Sequence, residues 1–219
     1  MGKLISFEGC QGTGKTTQFK NVSYKMRELG YFVETIAEKD YEPSKSVVQK
    51  WRNSNLNKTD SYDVDTILEM AKARAIVNKK IIKPLLDKND FIFLDRCYLT
   101  NAIYQCGFGL NINEIIDIQL KLGVLKIDSG FIFECHPNTS YKRAKERNFQ
   151  EYASGGGFER EGKRFMVPIE SLEKLTFRHN LYHEIPKYYP EFQIIDTDMK
   201  SKEEITNELI TIILEKRYE

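Results

Sequence analysis

Apolar positions along this chain follow two rhythms that take turns. Five short runs, Lys3–Glu8, Phe32–Ile36, Phe91–Asp95, Phe131–Glu134 and Phe192–Asp196, are apolar without alternation. A strand buried on both faces reads this way, because neither face meets water. Between them, apolar residues recur every three or four positions. This helical spacing covers Lys15–Leu29, Ser44–Trp51, Val64–Leu86, Tyr98–Cys106, Ile112–Leu122, Thr139–Arg147, Ile169–Tyr188 and Lys202–Lys216. Strands alternating with helices predict an α/β fold, a five-stranded parallel sheet flanked by helices on both faces. The 219 residues suit a single domain, 1–219, with one insertion.

Two stretches break the pattern. On Val64–Leu86, Ile67, Ala71, Asn78, Ile81 and Leu85 share a face at 100° per residue, and Arg74 falls in the middle of it. A guanidinium in an apolar stripe is costly unless its head finds partners. It either snorkels or forms an internal ion pair, or it projects into a cleft to hold a ligand. Phe149–Lys163 is centred on Gly155-Gly156-Gly157 and should be a mobile loop, since three glycines make poor helix and poor strand. Arg143, Arg147, Glu159, Arg160, Lys163 and Arg164 lie around it. The segment is either a surface connection or a lid, an insertion over 149–163 that brings cations over an anion on closing.

The chemistry begins after the first strand. Gly9-x-x-x-x-Gly14-Lys15-Thr16 is a phosphate-binding loop between a strand-like run and a helix-like one. Gly9, Gly12 and Gly14 permit backbone angles and close approaches that a side chain would block. The amides from Gly9 to Thr17, including those of Gln11 and Thr13, can point at phosphate oxygens, helped by the positive end of the helix. Lys15 can reach the β- and γ-phosphates and the Thr16 hydroxyl can hold Mg²⁺. The predicted domain is therefore a P-loop α/β domain that binds a nucleoside triphosphate.

Asp95 ends the apolar run Phe91–Leu94, where an acid can hold Mg²⁺ through water. Arg96 follows, a cation placed for a second phosphate. On the next helix Asn101 and Gln105 share one face and Thr100 and Tyr104 the neighbouring one. Such amides either cap and face solvent or read the edge of a base.

Bulk properties narrow the partners. With 33 basic and 32 acidic residues the net charge is +1, so nothing draws the chain toward nucleic acid or membrane. Cys10, Cys97, Cys106 and Cys135 have no metal-ligand spacing and read as reduced thiols, which fits the cytoplasm. His179 and His183 are four apart but lack the Glu of a metal motif.

Phe7-Glu8-Gly9 through Thr17, and Asp95-Arg96-Cys97-Tyr98-Leu99-Thr100-Asn101-Ala102-Ile103-Tyr104-Gln105, together resemble the thymidylate kinase family. The second segment is similar to the family's D-R-[YFH]-x-x-S-x-x-A-Y-Q. Leu68–Arg74 is similar to its L-F-A-A-x-R, and Phe158-Glu159-Arg160-Glu161 to its F-E-x-E. The resemblance implies a cytoplasmic enzyme, usually a homodimer, that converts ATP and dTMP to ADP and dTDP with Mg²⁺. It implies that Lys15 and the loop amides cradle ATP, and that Thr16 and Asp95 hold the metal. Arg96 would bind the acceptor phosphate. Arg74, Met70, Thr100, Asn101, Tyr104 and Gln105 would lie at the base pocket, and Arg143, Arg147 and Arg160 would supply lid cations.

Three departures touch the acceptor side. Gln11 stands where the family usually has Asp. Tyr41-Glu42-Pro43-Ser44-Lys45-Ser46 stands for R-E-P-G-G-T, so Tyr41 replaces a phosphate-binding Arg, and Glu42 and Lys45 remain as acceptor candidates. Met70 stands where an aromatic would stack on the base. Two other functions stay open. One is a deoxynucleoside kinase, which would use Glu8 as a base on a 5′-hydroxyl. The other is a nucleotide-binding protein with a lost acceptor site.

Overall fold

The computed structural model describes residues 1–54, 64–107, 109–154, 158–160, 163–166 and 169–216, with the backbone alone for 51–54, 158–160, 163 and 165. Strands β1 (Lys3–Gly9), β2 (Val33–Ile36), β3 (Phe91–Asp95), β4 (Ser129–Glu134) and β7 (Phe192–Asp196) form one sheet in the order β2-β3-β1-β4-β7. Every pairing in it is parallel, and the register sets Phe7 beside Asp95 and Gly9 beside Phe133. The strand ends that carry the candidate chemistry are therefore neighbours, as expected at the carboxyl edge of such a sheet.

The helices are α1 (Lys15–Glu28), α2 (Ser44–Ser54), α3 (Val64–Val77), α4 (Lys83–Leu86), α5 (Tyr98–Gln105), α6 (Ile112–Lys121), α7 (Pro137–Ala153), α8 (Leu172–Glu184) and α9 (Lys202–Glu215). They cover both faces of the sheet. One face is aromatic: Phe7, Phe91, Phe93, Phe131 and Phe133 pack with Val22 and Met26 of α1 and Ile205, Leu209 and Ile213 of α9. The Phe7 ring meets Phe19 edge-on at 5.2 Å and stacks on Phe133 at 5.8 Å. The other face is aliphatic, with Leu4, Ile92, Leu94 and Ile132 under residues of α3 to α6 and α8. Each large side chain buried this way contributes roughly 1.5–3 kcal/mol, so the strands that carry the site rest on a stiff base.

The helix predicted over Val64–Leu86 is present, but a π-helical turn at Asn78–Ile82 interrupts it. A π turn inserts one residue into the helical phase. The buried face accordingly runs Ile67, Ala71, Asn78 and then Ile82 and Leu86. Ile81 and Leu85, expected on that face, are only half-buried.

Of the segment 149–163, expected as a loop, the described parts are mainly helix and strand. Residues 149–153 complete α7, and β5 (Phe158–Arg160) pairs antiparallel with β6 (Lys163–Phe165), Glu159 opposite Arg164. Asn148 is buried on α7, so the helix runs on past the predicted end at Arg147. Gly155-Gly156-Gly157 and residues 161 and 162 lie outside the described residues.

Candidate active site

The loop after β1 is built by backbone. Gly9, Gly12 and Gly14 all have positive φ, at 132°, 78° and 86°. At Gly12 a Cβ would collide with the Ser140 carbonyl at the start of α7. The loop is tied from outside: the Ser140 hydroxyl donates to the Gln11 carbonyl, and the Thr197 hydroxyl donates to the Thr13 carbonyl at 2.9 Å. The Thr13 hydroxyl donates to the Cys10 carbonyl at 3.0 Å.

The first turn of α1 is left open. Its N-cap Gly14 provides no side-chain hydrogen bond and no acid stands in that turn. By contrast, Asn111 with Glu114 and Ser201 with Glu204 form capping boxes on α6 and α9. An uncapped, acid-free N-terminus behind a glycine loop suits an anion. Thr16 and Thr17 are exposed there.

Lys15 and Asp95 form an ion pair beside this loop. Burial pushes the Lys15 ammonium down and Arg96 adds to this, while Asp95 and Glu8 oppose it without reversing it. Burial pushes the Asp95 carboxyl up, but Lys15 and then Arg96 outweigh it, and the carboxyl lies below its ordinary range. Burial also pushes the Cys10 thiol up to about 11 against the pull of Arg96 and Arg178. The loop therefore offers no ready thiolate.

Arg96 is the one non-glycine residue with positive φ, 76°, among the described residues. Such a conformation costs of order 1–3 kcal/mol and collects at functional sites. Its guanidinium donates to Thr100 Oγ1 at 3.0 Å and Tyr182 Oη at 3.4 Å, and sits 3.9 Å from Glu8. Glu8 is fully buried and engaged at both oxygens. It accepts from Cys97 N at 2.6 Å, Thr100 Oγ1 at 2.5 Å and Tyr182 Oη at 3.2 Å. The Tyr104 ring lies against two guanidiniums, Arg178 at 3.8 Å and Arg96 at 5.6 Å.

A second constellation joins α3 to α5. Arg74 pairs through Nε with buried Glu38. Its other nitrogens donate to Gln119 Oε1 at 2.9 Å and Asn101 Oδ1 at 3.4 Å. Of the two readings left open for Arg74, the internal ion pair is present, and Asn101 brings it to the face of α5. Gln105 donates to the Met70 sulfur at 2.8 Å, while its buried Oε1 has no hydrogen-bond partner among the described residues.

Other expected residues are placed differently. The Glu42 carboxylate accepts from Ser46 N at 3.2 Å and Ser46 Oγ at 2.6 Å, a local cap on α2. Tyr41 packs on the hydrophobic core, and Lys45 is exposed. Arg143 reaches Thr197 O at 3.5 Å and Asp198 at 3.6 Å, close to the loop. Arg147 pairs with Glu151 at 3.7 Å, one turn further out. The Arg160 side chain lies outside the described residues.

Four participants escaped the sequence reading: Glu38, Lys39, Arg178 and Tyr182. Lys39 acts on the charge of Asp95. Arg178 and Tyr182 are four apart on α8, which was the signal available for them. Glu38 had none, because its partner Arg74 lies 36 residues away, a separation read from their numbers.

A family model described as thymidylate kinase matches residues 7–209. A protein of Methanocaldococcus jannaschii named probable thymidylate kinase is 32% identical over 207 residues, covering 94% of this chain and 93% of its own. A thymidylate kinase of Pelobacter propionicus is 29% identical, covering 99% and 96%. One of Geobacter sulfurreducens is 31% identical, covering 75% and 78%.

Proposed function

The chain belongs to the thymidylate kinase family, and from that premise we propose that it transfers the γ-phosphoryl of ATP to dTMP, giving ADP and dTDP. The observation that carries this reading is the grouping of Lys15, at the start of α1, with Asp95 and Arg96, at the end of β3. Two cations flank one carboxylate, beside an uncapped helix N-terminus. That arrangement suits a donor and an acceptor phosphate held together, and phosphoryl transfer is mainly positioning and charge neutralisation.

The roles follow from place. The loop amides and Lys15 bind the donor's phosphates. Arg96, oriented by Glu8, Thr100 and Tyr182, binds the acceptor's phosphate and holds its oxygen in line with the γ-phosphorus. Arg74 and Asn101 offer donors, and Gln105 a buried acceptor without a partner among the described residues, on the facing sides of α3 and α5. A base edge that alternates carbonyl and N–H complements that set. Arg143 and Arg147 on α7, with Arg160 in an insertion at 149–163 acting as a lid, add charge near the donor.

Magnesium fits the donor set. Thr16 and Asp95 supply one hydroxyl and one carboxylate, and Mg²⁺ is commonly held by few protein oxygens together with phosphates and water. When bound it neutralises charge on the β- and γ-phosphates.

The geometry favours a monophosphate acceptor over a nucleoside. A 5′-hydroxyl needs a base, and Glu8 is occupied at both oxygens. A phosphate oxygen is already a competent nucleophile. Homodimer assembly and a cytoplasmic location rest on the family resemblance. No described helix is long and apolar enough to cross a membrane. The test is ADP release with Mg-ATP across all nucleoside monophosphates and their parent nucleosides. Preference for dTMP is expected. Preference for thymidine, or no turnover at all, would overturn the reading.

A further inference from the structure

We propose that Glu38 is a positioning residue for acceptor recognition: from behind the base pocket it fixes the Arg74 guanidinium, and so determines which acceptor base is taken. The proposal rests on the reading above that Arg74 faces the acceptor.

Glu38 lies in a short 3-10 turn, Glu38–Asp40, directly after β2. It is only 4% exposed. A carboxylate this deep is retained at a cost unless it is paired and hydrogen-bonded. Both partners come from one helical run: Arg74 by its Nε and Asn78 by its amide, four residues apart. The π turn that begins at Asn78 follows directly, and π turns are frequent at functional sites. The arrangement is anchored further out. The Asn78 carbonyl oxygen accepts from Leu125 N at 2.8 Å. Gln119, which accepts from Arg74, itself donates to Tyr98 O at 3.0 Å and Ile115 O at 3.3 Å.

The guanidinium is thus held at one edge by Glu38 and at another by an amide that cannot turn freely. A guanidinium has five N–H donors in a rigid fork. Glu38, Gln119 and Asn101 are its partners among the described residues, so donor capacity remains. Donors held in fixed directions accept a base carbonyl and reject an exocyclic amine at the same place, because two donors would face each other in a desolvated cleft. Without the carboxylate, Arg74 keeps its charge but loses its direction. The predicted defect is therefore in acceptor binding and base choice, with the donor site unaffected.

The experiment is steady-state kinetics of full-length Glu38→Gln, Arg74→Ala and the double variant, with dTMP and dCMP as acceptors and ATP as donor. For Glu38→Gln the KM for dTMP should rise about tenfold, because the Arg74 guanidinium loses its buried counter-charge. The preference for dTMP over dCMP should narrow, with kcat and the ATP KM within about twofold. In the Arg74→Ala background the same change should add less than about twofold, because Glu38 acts through Arg74. Should Glu38→Gln not fold, Glu38→Asp keeps the charge one methylene back and should show a smaller rise in the same constant.

An unchanged dTMP KM in Glu38→Gln, or in Glu38→Asp if that variant carries the test, overturns the proposal when Arg74→Ala raises it. So does a KM effect of full size in the double variant. A lowered melting temperature with unshifted KM values would show a merely structural carboxylate. Failure of the underlying reading looks different: wild type does not use dTMP, or Arg74→Ala leaves the dTMP KM unchanged, and the proposal then falls with it.

Discussion

Glu8→Gln separates a structural carboxylate from a catalytic one. In the wild type Glu8 Oε1 accepts from Cys97 N at 2.6 Å. Its other oxygen accepts from Thr100 at 2.5 Å and Tyr182 at 3.2 Å, with Arg96 3.9 Å away. A glutamine can keep its carbonyl toward Cys97 and must then turn its NH₂ toward the two hydroxyls. Both hydroxyls lose a charged acceptor, each bond worth about 1.5–3 kcal/mol. Neutral replacements return about 1 kcal/mol each, since a hydroxyl can rotate to accept. Arg96 also loses its buried counter-charge, while the lost desolvation cost of the carboxylate partly offsets this. The net cost is about 2–4 kcal/mol. For a domain of this length each kcal/mol lowers Tm by about 2–4 °C, so a fall of roughly 4–16 °C is expected in a thermal melt. Turnover should remain above about a tenth of wild type, with the loss concentrated in the acceptor KM. A general base would behave in the opposite way, with Tm nearly unchanged and kcat down by about 10²–10⁴. That result would refute the assignment and restore the 5′-hydroxyl acceptor.

Lys15→Ala should lower kcat by at least about 10³ and weaken ATP binding, because it removes the cation at the donor phosphates; near wild-type turnover would contradict this. Gly12→Ala puts a Cβ against the Ser140 carbonyl at a φ of 78°. It should raise the ATP KM more than the acceptor KM and cost about 1–3 kcal/mol of stability, and an equal effect on both constants would argue against it. Asp95 is held below its ordinary value of 3.8 chiefly because Lys15 overcomes the effect of burial. Its folded pKa lies below the unfolded one, so its contribution is complete above about pH 4 and is lost as pH falls through the lower folded value. Asp95→Asn should flatten that acid limb of Tm against pH, and an unaltered limb would place the titration elsewhere.

The sheet was legible because its signals are local. Five apolar runs without alternation predict a parallel sheet, and β1, β2, β3, β4 and β7 occupy those runs to within two residues at each end. What failed was phase and context. The π turn at Asn78–Ile82 moved the buried face from Ile81 and Leu85 to Ile82 and Leu86. No propensity distinguishes a π turn from a regular one over Asn-Lys-Lys-Ile-Ile, since the extra residue is decided by packing. Residues 149–153 were read as loop with the Gly155-Gly156-Gly157 run that follows them, yet the backbone stays helical to Ala153.

The donor and acceptor sides differ in how far they could be read, and the reason is chemical. Phosphates are bound largely by backbone amides, and the glycines that free those amides must sit close together in sequence. Seven consecutive residues, Gly9 to Lys15, therefore hold most of the donor information. An acceptor pocket is bound by side chains, and their orientation depends on partners far along the chain. Glu8 meets Tyr182, Arg74 meets Glu38 and Gln119, and Met70 meets Gln105. Arg74 alone permitted both an ion pair and a ligand contact. The structure shows the ion pair, and a guanidinium has more donors than one carboxylate can use. The same logic bears on Tyr41, which occupies the place of a phosphate-binding Arg and packs into the core. Charge lost there need not be lost from the site. Lys39 acts on Asp95, and Arg178 shares the Tyr104 ring with Arg96. The turn after β2 and α8 thus each bring a cation to the neighbourhood of Asp95 and Tyr104.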